Sequence, residues 1–211
     1  MQKPIRKNPM RIGNRKTRAF LYLSALLTAC AFFSALARAE PDKRALALIE
    51  AARAQIGVTR IYDGGYQRLA WPNGDVDMAR GVCSDVVIRA YRRAFRHDLQ
   101  VAVHQDMKKA FSAYPKLWGL KNPDPNIDHR RVPNLRVFFA RRGAESQGKD
   151  FQPGDLVTQN VAGRLPHIAI VSDKRSKDGK RYLVIHNIGA GTQEEDSLSA
   201  YPVTGHYRYF P

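Results

Sequence analysis

Residues 81–91 read Gly-Val-Cys-Ser-Asp-Val-Val-Ile-Arg-Ala-Tyr, and they join a glycine-containing loop to a strongly helical run. Cys83 stands at the junction, so we predict that it occupies the first turn of a helix. Free backbone N–H groups and the positive end of the helix dipole at this position stabilise a thiolate. The stretch predicts either a nucleophilic cysteine or a small buried residue that closes the start of the helix.

The predicted helix continues to about Phe95 and is amphipathic. Asp85 opposes ionisation of the thiol if its carboxylate points back at the sulfur, and the sequence leaves that direction open. On the side away from the apolar face we expect four arginines in solvent: Arg89, Arg92, Arg93 and Arg96.

Residues 1–39 have the pattern of an export signal. A basic segment without acids is followed by an apolar run over 19–36 and by Ala37-Arg38-Ala39, the small-x-small form of a cleavage site. Two alternatives stay open. The apolar run is close to the roughly 20 residues that span a bilayer, so it could be an uncleaved anchor, and Cys30 could be a lipidated residue. Each of these places the domain in the periplasm or cell envelope.

Export changes how charge and cysteines are interpreted. The chain carries +16, but residues 1–39 hold eight Lys and Arg and no acid, which leaves +8 on residues 40–211. An exported protein does not meet nucleic acid, so we interpret this charge as attraction to an anionic envelope component, or as simple solubility. With Cys30 removed or lipidated, Cys83 has no intrachain partner. An odd thiol in an oxidising compartment indicates intermolecular pairing or a reactive group.

Residues 40–211 have the length of one domain. Helix patterns precede strand patterns along them, which predicts an α+β fold with an antiparallel sheet. The predicted helices cover 41–56, 83–95, 103–114 and 133–142, and the predicted strands cover 155–159, 166–173, 181–187 and 205–210. The turn-rich stretch 61–75 leads into the Cys83 helix. Tyr62 and Asp75 in it are candidate substrate contacts, with turn chemistry as the alternative for each.

Two histidines lie on consecutive predicted strands. His167 shares a face with Ala169, whose small side chain leaves room for a neighbour. A long connecting loop would place His167 opposite His186, about 5 Å away. A two-residue turn at 178–179 would instead place Val171 opposite His186.

Cys83 and the two histidines have the residue types of a nucleophile, a base and an orienting group. His167 would take the thiol proton or hold it in an ion pair, and His186 would orient the imidazole of His167. Asn187 is the alternative orienting residue, although alternation puts it on the opposite face. Zinc is a further possibility for Cys83, His167 and His186, but these residues lack the close ligand pairs of structural zinc sites.

The order of these motifs resembles the NlpC-type cell-wall peptidases, a papain-like superfamily. The landmarks are Cys83 in Gly-Val-Cys-Ser-Asp, the run Gln-Pro-Gly-Asp-Leu-Val at 152–157, His167 in His-Ile-Ala-Ile-Val, and Val-Ile-His at 184–186. The Cys83 motif together with His-Asn-Ile-Gly-Ala-Gly at 186–191 is similar to an uncharacterised bacterial family of exported proteins within or near that superfamily. The resemblance implies a papain-like fold in which a Cys-bearing helix packs on an antiparallel sheet.

By this resemblance Cys83 is the nucleophile, His167 the base and His186 the orienting residue of a cysteine peptidase or amidase. The expected substrate is the peptide stem of peptidoglycan. Ser84 and Asn187 join Tyr62 and Asp75 as predicted substrate contacts. The cell-wall enzymes usually read Asp-Cys-Ser-Gly, whereas this chain has Val82 and Asp85 at the outer two positions.

We predict no metal, because the candidate ligands lack close pairs, and no organic cofactor, because the sequence has no phosphate-binding glycine loop and no dinucleotide motif. The alternative function is a non-catalytic module of the same fold that binds the cell wall or a partner protein. A membrane enters only through the N-terminal segment, as a possible anchor.

We predict that the protein recovered from the cell envelope begins at Glu40, because export signals are cleaved after a small-x-small site. The intact mass of the envelope-associated protein checks this. A chain that retains residues 1–39 would favour the anchor, and one that begins at a lipidated Cys30 would favour the lipoprotein. Recovery of the full chain from the cytoplasm alone would contradict export.

Overall fold

The computed structural model describes residues 42–211, and helices dominate their first half. The helices are α1 (Lys43–Arg53), α2 (Cys83–Phe95), α3 (Leu99–Ala110) and α4 (Val132–Arg141), with 3-10 turns at Phe111–Ala113 and Asp128–Arg130. The Asp42 side chain caps α1 by accepting from the backbone N–H of Arg44. Helix α3 begins four residues before its predicted start because Asp98 supplies a cap to the N–H of Gln100. The other three helices confirm the predictions within about three residues at each end.

A five-stranded antiparallel sheet occupies the second half. Its strands are β3 (Leu156–Val161), β4 (Leu165–Arg175), β5 (Tyr182–Asn187), β6 (Thr192–Glu195) and β7 (Val203–Tyr207), in the order β6-β5-β4-β3-β7. The α+β class with an antiparallel sheet is therefore confirmed. Strand β6 was not predicted, since Thr-Gln-Glu-Glu lacks apolar alternation. A short parallel pair, β1 (Ile61–Tyr62) and β2 (Arg80–Gly81), lies in the stretch predicted as loop.

The sheet packs apolar residues on both faces. Helices α1 and α2 cover the face that carries Ile168, Ile170 and Ile185. The other face carries Ala169 and Val171, and on it a smaller cluster forms with Val157, Val184 and Leu198. Because alternate residues of a strand point to opposite faces, His167 and His186 belong to the second face.

Helix α2 lies at the centre of the fold, and its first nine residues, from Cys83 to Tyr91, are all buried. The prediction that Arg89 faces solvent is wrong, since Arg89 is 6% exposed. Its guanidinium binds both carboxylate oxygens of Asp75 at 2.8 and 3.0 Å and also donates to Thr59 Oγ1. Further bonds reach the carbonyl oxygens of Val76, Asp77 and Arg80. Helical periodicity reports only spacing, so it did not reveal that the loop before α2 folds over this arginine.

Residues 42–211 pack as one compact unit. The predicted export signal, 1–39, lies outside the described residues. Within 42–211 no helix is both long and apolar enough to cross a bilayer.

We predict that Arg89→Ala lowers the free energy of unfolding by about 3 kcal/mol, because it removes the buried partner of the partly exposed Asp75 and leaves several carbonyl oxygens without a donor. Urea unfolding of the full-length chain measures this. Arg93→Ala, at an exposed position on the same helix, is the matched control and should stay within about 0.5 kcal/mol of wild type. Equal effects of the two substitutions would contradict the role of Arg89.

Candidate active site

Cys83 is the first residue of α2, as the sequence predicted. The chain enters the helix through Gly81 at φ +155°, where a side chain would press against Asp85 and the Arg89 guanidinium. The backbone N–H of Val82 donates to Asp85 Oδ2 at 2.7 Å and closes the helix start. This tight entry fixes the direction in which the Cys83 side chain leaves the helix.

The direction of Asp85, left open by the sequence, is decided by Arg130. The Arg130 guanidinium donates to Asp85 Oδ1 through Nε and to Oδ2 through Nη2, each at 2.8 Å. Both side chains are at most 3% exposed. The carboxylate is thus paired with a cation, although its charge still raises the pKa of the Cys83 thiol.

The thiol of Cys83 is buried, and burial raises its pKa to about 11. Three backbone N–H groups near the sulfur lower the pKa and oppose this rise: those of Ile168, Ser84 and Cys83 itself. The donor from Ile168 places the sulfur beside β4, one residue after His167. Burial outweighs the helix-start donors, so the resting side chain is a neutral thiol.

The two histidines contact each other in a register that neither prediction described. Arg175 pairs with Tyr182, as a turn at 178–179 requires, but an irregularity shifts the pairing so that Val171 lies opposite Val184. This register makes His167 and His186 diagonal neighbours, which long and aromatic side chains can bridge. The bond between His167 Nε2 and His186 Nδ1 is 2.7 Å long, and the ring centroids are 4.9 Å apart.

A third strand extends this pair. His186 Nε2 lies 2.8 Å from Glu195 Oε1 on β6, and Ser197 Oγ lies 3.4 Å from the same nitrogen. His167 and His186 are 3% and 0% exposed, whereas the Glu195 side chain is about half exposed. A row of polar groups therefore runs across three strands, from the buried His167 on β4 to the half-exposed Glu195 on β6.

Both imidazoles are held neutral. Burial lowers the pKa of His167 to about 3, and the neighbouring His186 adds to this effect. Burial also lowers the pKa of His186, against the opposing effect of Glu195. At neutral pH the site therefore rests as a thiol and two uncharged imidazoles.

The structure brings His167 and His186 into contact but joins neither to the thiol by a hydrogen bond. Among residues 42–211 no side chain forms a hydrogen bond with the Cys83 sulfur, and Nδ1 of His167 has no hydrogen-bond partner. The sulfur lies near the backbone N–H of Ile168, and the imidazole belongs to the preceding residue, His167. Nε2 of His167 is occupied by His186, which leaves Nδ1 as its second ring nitrogen.

Ser84 and Asn187, both predicted substrate contacts, make internal bonds. Ser84 Oγ donates to the carbonyl oxygen of Arg130 at 2.7 Å. Asn187 Nδ2 donates to the carbonyl oxygen of Gly81 at 3.0 Å and so ties the end of β5 to the loop that enters α2. As alternation predicted, Asn187 points to the opposite face from His186, and it makes no bond to His167.

The two loop residues have different surroundings. Both carboxylate oxygens of Asp75 bind Arg89. Tyr62 pairs with Gly81 across β1 and β2 and leaves its side chain about half exposed. Burial raises the pKa of Tyr62 to about 12, and the nearby Cys83 contributes to the rise. Tyr62 is thus a surface residue close to the thiol, and its role as a substrate contact remains a prediction.

Sequence reasoning missed Glu195, Gln159 and Arg130. Gln159 lies directly opposite His167, and its amide nitrogen donates to the carbonyl oxygens of Ser197 and Leu198. It thereby holds the segment after β6 near the histidines. Strand alternation over 192–195 places Glu195 on one face with Gln193. Only the pairing of β6 with β5 shows that the partner of Glu195 is His186.

Within residues 42–211 no three His, Cys, Asp or Glu side chains are arranged to hold a metal ion. His167 Nε2 and His186 Nδ1 face each other in a hydrogen bond, so these two nitrogens are not open to a ligand. The zinc alternative finds no preformed ligand set among these residues.

Comparison with known proteins gives two matches. Residues 49–209 match the family described as "Domain of unknown function (DUF1287)". The chain is also 49% identical over 204 residues to "Uncharacterized protein YijF" of Escherichia coli (strain K12), an alignment that covers 92% of this chain and 98% of the relative.

We predict that alkylation of Cys83 by iodoacetamide accelerates with pH up to about 11, because the thiolate is the reactive form and burial raises the thiol pKa. The measurement uses a Cys30→Ser chain, so that one thiol is followed. The same chain in urea is the control and should titrate near the ordinary value of about 8.5. A rate that is already constant below pH 8 would contradict the neutral resting state and indicate a thiolate–imidazolium pair.

Proposed function

The chain belongs to the DUF1287 family, and we propose that it is an exported cysteine hydrolase of papain-like type that cleaves amide bonds in peptidoglycan stem peptides. Cys83 serves as nucleophile, His167 as base and His186 as the residue that orients His167. The family assignment rests on the match over residues 49–209. The activity is our proposal from the site.

One observation carries the proposal: the 2.7 Å bond between His167 Nε2 and His186 Nδ1, next to a cysteine at a helix start. A base in nucleophilic catalysis needs one ring nitrogen for the nucleophile and an orienting partner on the other. His186 provides that partner. Nδ1 of His167 is then left for the thiol proton, and the backbone N–H of the next residue, Ile168, lies close enough to the sulfur to lower the thiol pKa.

The proposed reaction begins from the neutral thiol. His167 Nδ1 accepts the thiol proton as the sulfur attacks the substrate carbonyl carbon, which forms a C–S bond and a tetrahedral oxyanion. Collapse of this intermediate breaks the C–N bond, and His167 returns the proton to the leaving amine. A water molecule, deprotonated by His167, then hydrolyses the thioester and regenerates the thiol.

The oxyanion requires N–H donors where negative charge develops. The N–H groups of Cys83 and Ser84 lie at the start of α2, near the sulfur. The Ile168 N–H approaches from β4. In the proposed reaction these backbone groups, which need no rearrangement of side chains, stabilise the thiolate and the oxyanion in turn.

The choice of substrate depends on the compartment and the charge. The proposed export signal takes the domain to the envelope, where peptidoglycan is the abundant polymer with amide bonds and carboxylates. The formal charge of +8 on residues 40–211 favours an anionic polymer of this kind. Tyr62, half exposed and near the thiol, is the proposed contact on the approach side.

One observation favours the alternative, a non-catalytic module of the same fold that binds the envelope. Cys83 is 4% exposed, and its sulfur makes no hydrogen bond to the imidazole of His167. In this alternative the cysteine closes the start of α2, and the histidines stabilise the sheet. The two functions differ in whether substitution of Cys83 abolishes cleavage of a bound peptide.

We predict that the wild-type chain releases new amines from a soluble peptidoglycan digest and that Cys83→Ala releases none. His167→Ala should lower the rate by roughly 10² to 10⁴, the usual contribution of a general base. Mass spectrometry of the digest identifies the bond. His104→Ala, a histidine on α3 outside the site, is the control and should retain the wild-type rate.

The binding alternative predicts a different result. Wild type and Cys83→Ala would then bind intact peptidoglycan equally in a sedimentation assay, and neither would yield a product. That outcome would overturn the hydrolase proposal.

A further inference from the structure

Glu195 contacts His186, although the proposed mechanism gives Glu195 no role. Its Oε1 lies 2.8 Å from Nε2 of the fully buried His186. It reaches this nitrogen from β6, because His186 pairs with Gln193 and Glu195 is two residues farther along the same strand face. The offset repeats the diagonal between His167 and His186, so the three side chains form one oblique row across β4, β5 and β6.

The row sets which nitrogen of each ring carries hydrogen. An ionised carboxylate can only accept a hydrogen bond, so Nε2 of His186 must donate to Glu195. A neutral imidazole has one donor and one acceptor, which makes Nδ1 of His186 an acceptor. His167 Nε2 must then donate to it across 2.7 Å. In a neutral His167 this leaves the lone pair on Nδ1.

We propose that Glu195 is a positioning residue that fixes the tautomers of both imidazoles and thereby makes Nδ1 of His167 the proton acceptor. The consequence for catalysis rests on the proposed hydrolase function, whereas the tautomers do not. Glu195 touches neither the thiol nor a substrate in this arrangement. It acts only through His186.

A second effect follows from charge. During the proposed attack His167 becomes an imidazolium in a buried position, where an isolated charge is costly. Within the row, Glu195 supplies the negative charge, two hydrogen bonds away from the proton. It already favours the charged form of His186 and so opposes the effect of burial on the pKa of that residue.

The neighbours of Glu195 offer a matched control. Gln193 lies on the same strand and face and stands directly opposite His186, but its amide donates to the carbonyl oxygen of Ala190 instead of the imidazole. After removal of the Glu195 carboxylate, the remaining neighbour of His186 Nε2 is the Ser197 hydroxyl, at 3.4 Å. A hydroxyl can donate or accept, so it does not select one tautomer.

The test reads the tautomers directly. The full-length chain is labelled with ¹⁵N in histidine, which gives six imidazoles, and long-range ¹H–¹⁵N spectra at neutral pH show which ring nitrogen is protonated. We expect His167 and His186 both to carry hydrogen on Nε2 in wild type and in Gln193→Ala. In Glu195→Ala we expect the Nδ1–H form of His186 to appear. Glu195→Leu, which keeps bulk on the strand, repeats the test should the alanine variant lose thermal stability.

The amine-release assay tests whether Glu195 also affects the rate of hydrolysis. Glu195→Ala should be roughly 10- to 100-fold slower than wild type, the range known for groups that orient metal-binding imidazoles, and Gln193→Ala should keep the wild-type rate. Unchanged tautomers in both Glu195 variants would overturn the inference even if the protein hydrolyses peptides. Altered tautomers in a protein without hydrolase activity would support the role of Glu195 and overturn the proposed function alone.

Discussion

The buried ion pair between Asp85 and Arg130 holds the start of α2, and the position of Cys83 depends on it. The guanidinium binds both carboxylate oxygens at 2.8 Å and also reaches the carbonyl oxygens of Asp63 and Gly65. One of these carboxylate oxygens also accepts the Val82 N–H. Removing either charge would leave the other buried and unpaired, which costs about 3–5 kcal/mol in comparable pairs. A single interaction thus joins the loop before Cys83, the first turn of α2 and the 3-10 turn at 128–130.

Arg89, one turn farther along α2, holds the other side of the same loop. Its bonds to Asp75 and to three carbonyl oxygens replace the regular backbone pairing that most of this loop lacks. Asn187, at the end of β5, also binds this loop by donating to the Gly81 carbonyl oxygen. Buried polar groups need such partners, and here they surround the cysteine. The thiol is therefore confined between α2 and β4.

Because the thiol and both imidazoles are buried, their charged forms are disfavoured. Burial raises the thiol pKa and lowers the pKa values of both histidines, so the resting groups are neutral. In the proposed mechanism the proton moves as the bond to substrate forms, and no ion pair is stored beforehand. The oblique row across three strands suits this chemistry, because it holds an uncharged base in one orientation and ends at a carboxylate near solvent.

The sequence by itself determined the α+β class, the helix start at Cys83, the shared strand face of His167 and His186 and the opposite orientation of Asn187. These are local properties: capping, periodicity and alternation act within a few residues. It also predicted two alternative registers for the β4–β5 pairing, and neither describes the pairing beside the histidines. Only the tertiary structure decided the actual register, because the irregularity between Val171 and Arg175 moves the pairing by two residues without a clear signal in composition.

The same limit explains the burial of Arg89, the partner of Asp85 and the contact of Glu195 with His186. Each joins residues far apart in the chain or on separate strands: 45 positions separate Asp85 from Arg130, and Glu195 belongs to a strand that its own composition does not predict. Local sequence patterns identify the residues whose side chains can take part in a reaction. Which of them meet is decided by how the strands and the loop pack, since a hydrogen bond forms only when packing brings the two atoms within about 3 Å.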